Sequence, residues 1–540
     1  MNAKNSSADH VAFRSAKGRL FAERKATKPA CLLVLGAVGL AAATAWWCLP
    51  GRPSAAILDA AQPTARRPRI HPDYDGLVVP PNLAPLNFRI EEPGGLFFIR
   101  IRSRRGPPVE ILSRSGDVEI PLDRWRRLLA ENRGAELSID VYARPREGSW
   151  RRYESVTNEI AQEQIDPYIA YRVLRPDAVY YRSIGIYQRH LESYECSAVL
   201  HGRWFGEGCL NCHAFPNADP SHLSLHVRGR YGEAAVLVEG DGAYTAAGRL
   251  GYAAWHPSGK LVVFSRFEIQ LYYHTARGHT RGATDSDSML TYYRLDRRTL
   301  KTAPPIADKA RLETHPTWSP DGRYLYFASA PKPWADGQSF PAEHYAQVRY
   351  DLKRVRYDIE KDHWGPVETV LSASRTGRSN VSPRISPDGR FVLFCTCDYG
   401  EFPVYQPDSD LYLLNLKSGK YWKLECNSPC ADSWHCWSSN GRWIVFSSKR
   451  PTGVFTRLYL CHVDKDGRTS KPFLLPQRDP GCDDDLLSVY NLPEFITGPV
   501  RVSPAALLQA VRDTERVQVD GITGATAKLP FPEPWRLAPQ

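Results

Sequence analysis

The feature that most constrains the fold is a short segment that recurs four times in the C-terminal half of the chain. Each copy passes through a turn rich in Pro, Ser, Asp or Asn that ends in Gly, and then enters an apolar run. The copies begin at Trp255, Trp318, Ile385 and Trp437. Pro presets φ, Asp or Asn tolerates the turn, and Gly supplies a positive φ. Each copy therefore predicts two antiparallel strands, the second apolar enough to be buried on both faces.

Repeats of this kind predict the blades of a β-propeller, each made of four short strands. The shared glycines stand about 50 to 70 residues apart, which is longer than a minimal blade and predicts insertions in the loops. We expect a mainly β chain with a propeller of about five or six blades over residues 231–500. The alternative is a tandem of unrelated hairpins. The turns resemble those of the TolB-type β-propeller, and this resemblance implies a fold much more than a function.

The segments before the propeller are less regular. Residues 81–160 contain short alternating apolar and polar stretches, typical of a small β-sandwich. Residues 161–230 indicate mixed or helical structure and carry the motif discussed below. Residues 51–80 are rich in Pro, Ala and Arg without periodicity, and they predict a linker. Residues 501–540 form a C-terminal tail.

The N-terminus predicts a membrane anchor. Residues 1–29 are basic, and residues 30–50 follow as an apolar run without a charged side chain. A helix of this length spans about 30 Å, roughly one hydrocarbon core. The basic flank places the N-terminus in the cytoplasm, so the bulk of the chain is expected in the periplasm, tethered to the inner membrane. A cleaved signal peptide is the alternative. The remaining positive charge, within a net +11, is too diffuse to indicate nucleic-acid binding.

The chemistry-bearing motif is Cys209-Leu-Asn-Cys212-His213, which has the C-x-x-C-H spacing of c-type haem attachment. Two thiols at this spacing form thioethers with the haem vinyl groups, and the adjacent imidazole ligates the iron. The flanking Gly and Pro residues predict a loop. Two other interpretations stay open: a disulfide or redox dithiol, and half of a zinc site.

The sixth haem ligand is less constrained by the sequence. Met289 is the only non-initiator methionine, so a His is the better candidate. We expect His226, because it lies in an apolar segment just after the motif. Three further histidines remain candidates: His201, His222 and His274. A second histidine ligand would favour electron transfer, whereas an open iron would favour small-molecule chemistry.

The chain also resembles bacterial envelope proteins that join a single C-x-x-C-H segment to a TolB-type propeller. The resemblance covers about residues 78–500. It is carried by the haem motif with the following Leu225-His-Val-Arg, by the turn at Trp255, and by the segment from Asp432 to Trp443. It implies a covalent haem and an envelope location. Gln406 stands where such relatives often carry His, so that position is not expected to be an essential iron ligand here.

Two further cofactor motifs are weaker. The segment Asp520-Gly-Ile-Thr-Gly-Ala-Thr526 resembles the end of a flavin-attachment signature in which Thr carries FMN, so Thr526 is a candidate for covalent FMN. The acidic runs at 483–485 and at Asp285-Ser-Asp-Ser predict possible Ca²⁺ ligands, although most such runs are solvated turns.

The expected export of the chain also bears on the remaining cysteines, because an envelope compartment is oxidising. Among the 12 cysteines, some outside the haem motif are expected to form disulfides. The cluster Cys426, Cys430, His435 and Cys436 also admits a zinc site, with unusual spacing.

We expect a membrane-anchored periplasmic c-type cytochrome that transfers electrons to an envelope partner protein, rather than a stand-alone enzyme. The alternatives are a non-redox propeller scaffold and a peroxidase-like haem enzyme.

Overall fold

The structure is a computed structural model. It describes residues 52–175, 183–248, 250–272, 282–334, 342–482 and 487–513. The predicted anchor at 30–50 and the candidate FMN residue Thr526 lie outside these ranges. Within them, no helix is both long and apolar enough to cross a membrane. The described chain is mainly β, as the composition and the repeats predict.

The N-terminal part of the described chain consists of two sheets and two helices. Its helices are α1 (Ala55–Asp59) and α2 (Leu122–Glu131). Seven strands form the larger sheet: β1 (Gln62–Pro63), β3 (Val78–Val79), β5 (Leu96–Arg102), β6 (Val109–Ser113), β8 (Glu136–Arg144), β9 (Arg151–Arg152) and β10 (Val156–Ile160). Three strands form the smaller sheet: β2 (Ile70–His71), β4 (Phe88–Ile90) and β7 (Asp117–Val118). The predicted linker at 51–80 is therefore wrong in part, because β1, β2 and β3 add short strands to these sheets.

The remaining strands form six four-stranded antiparallel sheets, which are the blades of a propeller. Blade 1 contains β14 (Cys209–Ala214), β15 (His222–Gly229), β16 (Gly232–Glu239) and β17 (Gly242–Ala247). Blade 2 contains β18 (Gly251–Trp255), β19 (Leu261–Tyr272), β20 (Gly282–Arg294) and β21 (Thr299–Lys301). Blade 3 contains β22 (Arg311–Trp318), β23 (Tyr324–Pro331), β24 (Asp351–Asp358) and β25 (His363–Leu371).

The last three blades follow the same plan. Blade 4 contains β26 (Ser379–Ile385), β27 (Phe391–Cys397), β28 (Asp410–Asn415) and β29 (Tyr421–Lys423), preceded by α3 (Ala373–Thr376). Blade 5 contains β30 (Asp432–Trp437), β31 (Trp443–Ser448), β32 (Arg457–His462) and β33 (Phe473–Leu474). Blade 6 contains β11 (Tyr168–Leu174), β12 (Gly185–His190), β13 (Cys196–His201) and β34 (Val489–Ile496), and α4 (Pro504–Arg512) follows it.

Blade 6 closes the ring with strands from both ends of the propeller sequence. Its innermost strand, β34, pairs with β11, which comes from before blade 1. Contacts between neighbouring innermost strands run from blade to blade, and β34 also contacts β14. The structure therefore starts the propeller at Tyr168, well before the predicted boundary at 231. The segment 161–230, predicted to be mixed, is mostly strand with two short 3-10 helices, and its apolar residues pack between blades 6 and 1.

The innermost strands share one local distortion. Each contains a β-bulge whose central residue has a positive φ between 43° and 53°. These residues are Cys212, Tyr252, His315, Ser382, Trp434 and Leu492. A bulge interrupts the alternation of side chains along a strand and bends it. In each blade it directs the bulge residue, and usually the next one, to a cavity at the centre of the ring.

Candidate functional site: the axial cavity

The C-x-x-C-H motif lies on the innermost strand of blade 1. Its residues occupy β14, with Cys212 at the bulge and His213 directly after it. The predicted loop is wrong here, because Cys209–Ala214 is a strand with the short helical turns Gly202–Phe205 and Pro216–Ala218 on either side of it. Cys212 and His213 consequently form part of the wall of the propeller centre.

The bulges surround a small buried cavity. Its volume is about 40 Å³, which is room for about three water molecules. Every blade contributes to the wall, which is formed by Cys212, His213, Tyr252, Ala253, His315, Pro316, Ser382, Pro383, Arg384, Trp434, His435, Leu492 and Pro493. The residues that share this wall thus include one thiol, three imidazoles, one guanidinium and two large aromatic rings. We call this set the axial site.

His213 is held in the neutral form at this site. It is 4% exposed, and burial, with help from Arg172 and Arg384, lowers its pKa to about 3. Neither ring nitrogen makes a hydrogen bond of acceptable geometry, although backbone groups of Ala170 and Leu492 lie nearby. A neutral imidazole with an unengaged nitrogen is the form that ligates a metal ion.

Neither cysteine of the motif forms a disulfide, and the surroundings of the two differ. Cys209 is buried in the apolar core between blades 6 and 1, and its Sγ accepts a hydrogen bond of 3.1 Å from Asn211. Cys212 lines the cavity, and burial raises the pKa of its thiol. Asn211 is in turn fixed by the guanidinium of Arg172. The structure thus does not join the two cysteines in a disulfide.

Two histidines that the sequence analysis did not single out as haem ligands share the cavity with His213. Burial lowers the pKa of both His315 and His435 to about 3. Nε2 of His435 lies 3.2 Å from the carbonyl oxygen of Leu393, whereas neither nitrogen of His315 has a hydrogen-bond partner. The neutral imidazoles therefore come from blades 1, 3 and 5.

Aromatic rings close the space between these histidines. The ring of Tyr252 lies 4.4 Å from that of His315 and stacks on Trp434 with a centroid distance of 6.0 Å. Arg384 supplies the positive charge of the wall, and its guanidinium is 2.8 Å from Oε1 of Glu494. The second Glu494 oxygen accepts a hydrogen bond from the backbone N–H of Phe215, three residues after Cys212.

The structure separates the other predicted iron ligands from the cavity. His226 lies on β15 opposite Asn211, with Nε2 3.2 Å from a Glu233 carboxylate oxygen, and it does not line the cavity. Nδ1 of His201 accepts a hydrogen bond from the backbone of Arg203, and Nδ1 of His222 is 3.0 Å from Ser221 Oγ.

Met289 and Gln406 do not line the cavity. Met289 lies on β20, and the side-chain amide of Gln406 donates to the carbonyl oxygen of Tyr399. His274 and the acidic run at 483–485 lie outside the described residues.

The alternative zinc sites gain no support from the arrangement of side chains. Of the cluster Cys426, Cys430, His435 and Cys436, only His435 faces the cavity. Cys426 lies instead beside Cys461 in the core of blades 4 and 5. Across the described ranges, no group of three or more His, Cys, Asp or Glu side chains is arranged to hold a metal ion.

The sequence does contain a signal that locates the axial residues which the motif analysis missed. In four blades the bulge residue stands three positions before the first residue of the turn repeat. His315 precedes Trp318 in this way, and Trp434 precedes Trp437. Counting back from each repeat would have placed His315 and His435 at the centre. Arg384 would have remained hidden, because nothing local distinguishes it from a surface arginine.

Comparisons with known proteins identify no family for this chain. No protein-family model and no curated protein matches the chain. Among solved structures it is similar to TolB from Acinetobacter baumannii, with 14% identity, a TM-score of 0.40, and coverage of 70% of this chain and 85% of that one.

Two other solved structures are similar over different spans. The oligogalacturonate lyase from Vibrio parahaemolyticus has 12% identity and a TM-score of 0.30, covering 53% of this chain and 85% of that one. Prolyl oligopeptidase B from Galerina marginata has 11% identity and a TM-score of 0.31, with coverage of 73% of this chain and 54% of that one. At these TM-scores the likenesses carry no argument about function, and the assignment of a six-bladed propeller follows from the sheet topology of this chain.

Proposed function

We propose that this chain is an envelope electron-transfer protein whose propeller carries one covalent c-type haem at the axial site. Cys209 and Cys212 would hold the porphyrin through thioethers, and His213 would ligate the iron. The supporting observation is the state of His213, which is neutral, buried and without a good hydrogen bond, next to a free thiol in the required sequence spacing. Bound haem supplies one-electron redox chemistry.

The two thiols and the imidazole are the groups that attach and ligate a haem, but the closed cavity is too small to hold one. Ligand pockets for molecules of moderate size usually enclose about 300–1,000 Å³, whereas the axial cavity holds about 40 Å³. Cys209 also lies in an apolar core rather than on the cavity wall. The proposal therefore requires that β14 and the stacked rings of Tyr252 and Trp434 rearrange when haem is attached. We derive no catalytic or redox step from the closed arrangement.

The cellular setting is part of the same proposal. Thioether formation to haem and the apolar run at 30–50 both suit a chain anchored in the inner membrane with its propeller in the periplasm. The partner would be a redox protein of the envelope.

The small cavity also favours a second candidate, a non-redox binding module. Arg384 and three neutral imidazoles can hold an anion of only a few atoms, or a few waters, without any rearrangement. In this case the cysteines would have a purely structural role. This candidate explains the closed cavity and leaves the C-x-x-C-H spacing without a purpose.

A pyridine haemochrome spectrum of the full chain, produced in cells with c-type haem attachment machinery, separates the two candidates. A spectrum typical of thioether-linked haem, at one haem per chain, is expected. Absence of covalent haem from a folded, exported protein would refute the cytochrome and leave the binding module. If haem is found, adding CO to the reduced protein tests for an open iron, as the peroxidase-like alternative requires.

A further inference from the structure

The part of the axial wall that blades 3, 4 and 5 contribute differs chemically from the part that carries the C-x-x-C-H motif. Its polar side chains are His315, Ser382, Arg384 and Trp434. Three of them are bulge residues, and Arg384 stands two residues after the bulge of blade 4. The bulges therefore bring four polar side chains from distant parts of the sequence to one cavity. We call these four residues the donor set.

Three side chains of the donor set are buried without hydrogen-bond partners. His315, Ser382 and Trp434 are 5%, 9% and 8% exposed. Both ring nitrogens of His315, Oγ of Ser382 and Nε1 of Trp434 make no hydrogen bond of acceptable geometry. Buried polar atoms are normally paired, because leaving them unpaired is costly. Four unpartnered atoms on the wall of one cavity therefore point to a ligand inside it.

The guanidinium of Arg384 adds a positive charge to the donor set. Its Nη2 donates a hydrogen bond of 2.8 Å to Oε1 of Glu494, and within the described residues the structure shows no other hydrogen bond from this side chain. A guanidinium carries five N–H groups, so most of them remain available to a ligand. Burial, with help from the charge of Arg384, lowers the pKa of His315 to about 3, which keeps this imidazole neutral beside the guanidinium.

The chemistry of the donor set indicates an anion. Nε1 of Trp434 and the guanidinium of Arg384 can only donate hydrogen bonds, and the hydroxyl of Ser382 and the neutral imidazole of His315 can each donate one as well. A negatively charged acceptor is the ligand that such a set suits best.

The size of the cavity narrows the class of anion. A planar oxyanion matches the fork of a guanidinium, which can bind two of its oxygens at once. The cavity of about 40 Å³ has room for about three water molecules, which limits the ligand to three or four non-hydrogen atoms. Formate, nitrite, nitrate and bicarbonate meet both conditions, whereas sulfate and phosphate are larger and tetrahedral.

We propose that the donor set binds one small planar oxyanion in the axial cavity, with the guanidinium of Arg384 at its charge and the other three side chains donating to its oxygens. The inference rests on the second candidate function, the binding module, and names the class of its ligand. It requires no movement of β14 or of the stacked rings, because the cavity already has the size of such an anion.

The test uses the full chain produced in cells without c-type haem attachment machinery, so that no covalent haem occupies the site. Formate, nitrite, nitrate and bicarbonate are titrated separately in a calorimeter, with sulfate at matched ionic strength as the reference and thermal unfolding as a second readout. We expect one planar oxyanion per chain and a rise in Tm on binding, since a ligand specific for the folded state stabilises it. The four affinities distinguish carboxylate-type anions from oxyanions of nitrogen.

Three variants test the residues. Ser382→Ala and Trp434→Phe should each weaken binding at least about tenfold, since each removes one hydrogen bond to a charged ligand. Arg384→Lys keeps a positive charge beside Glu494 but removes the planar fork, and it should weaken binding at least as much. The matched control is Ser433→Ala, which removes another buried, unpartnered hydroxyl on the strand of Trp434 but away from the cavity wall. It should bind the anion as the wild type does.

The proposal is overturned if none of the four anions gives binding heat or a change in Tm, because water alone would then fill the cavity. It is also overturned if sulfate binds as tightly as the planar anions, or if all three variants bind as tightly as the wild type. Covalent haem is decided by the haemochrome spectrum of separately produced protein, so failure of this proposal and failure of the cytochrome are distinguishable.

Discussion

Blades 1 and 5 place a histidine at the same point of the fold but hold it differently. His213 and His435 each follow the bulge of an innermost strand, and burial lowers the pKa of both to about 3. Nε2 of His435 lies 3.2 Å from the backbone carbonyl oxygen of Leu393, and the residue before His435 is Trp434. Neither ring nitrogen of His213 makes a hydrogen bond of acceptable geometry, and the residue before His213 is Cys212.

The difference is that the residue before the histidine carries an aromatic ring in blade 5 and a thiol in blade 1. In blade 5, Nε2 of the imidazole lies 3.2 Å from a carbonyl oxygen of the neighbouring blade, Nδ1 has no partner of acceptable geometry, and the ring of Trp434 stacks on Tyr252. In blade 1, neither imidazole nitrogen makes a hydrogen bond of acceptable geometry, and the backbone of Tyr252 lies within hydrogen-bonding reach of the thiol. The thiol and imidazole of blade 1 also have the C-x-x-C-H spacing, which makes this pair the better candidate for a functional role.

The largest expected effect concerns the thiols. Changing both Cys209 and Cys212 to Ser should abolish covalent haem, because no thioether can form. Cys436→Ser in blade 5, one residue after His435, should leave the haem content unchanged. Haem staining of denatured chains measures the difference, and equal staining of the two variants would remove the distinction between the blades.

A broad effect of pH on stability should come from the neutral histidines. Their folded pKa of about 3 lies below the value of about 6.5 for an unfolded chain. The unfolded state therefore binds more protons between these values, and the free energy of unfolding should fall as the pH drops from about 6.5 towards 3. Denaturant titrations of the full chain across this range would measure the slope.

A paired variant identifies the source of that slope. His315→Gln combined with His435→Gln should reduce the dependence on pH, since the amides do not titrate and His213 is the neutral histidine of the axial site that remains. His363→Gln, at an exposed position on blade 3, should leave it unchanged. An unaltered slope in the first variant would show that the acid sensitivity arises elsewhere.

Single substitutions at the two equivalent histidines should have opposite signatures. His213→Gln is expected to keep the thioethers but alter the visible spectrum, because the iron loses its proximal ligand. His435→Gln should keep the spectrum and lower stability by about 1 kcal/mol, the usual value of one lost hydrogen bond. Identical spectra for both variants would contradict the ligand role of His213.

The smallest expected effect on stability concerns one turn residue with a positive φ in each of the two blades. In blade 1, Ala218 has a φ of 62°, a left-handed conformation that costs a non-glycine residue about 1–2 kcal/mol. Ala218→Gly should therefore stabilise the chain slightly, by less than about 1 kcal/mol after the added entropy of the unfolded state. In blade 5, Gly441 has a φ of 66°, so Gly441→Ala should destabilise. Thermal unfolding of the two variants would give shifts of opposite sign.

The sequence was sufficient for the blades that carry the turn repeat, because the repeat fixes two strands in each. It was insufficient for blade 6, whose strands come from 168–201 and 489–496 and contain no such turn. Their pairing depends on ring closure, which is a long-range property. The same reason explains the axial site. Cys212 and His213 were visible as a motif and His315 could be located from its repeat, whereas the role of Arg384 in the wall is evident only when distant blades meet.

The central claim is most directly tested by the mass of the tryptic peptide that contains Cys209 and Cys212, taken from the mature protein. The account predicts a peptide enlarged by one haem, with neither thiol available to alkylation. A peptide of unmodified mass whose two cysteines both react with iodoacetamide would contradict it.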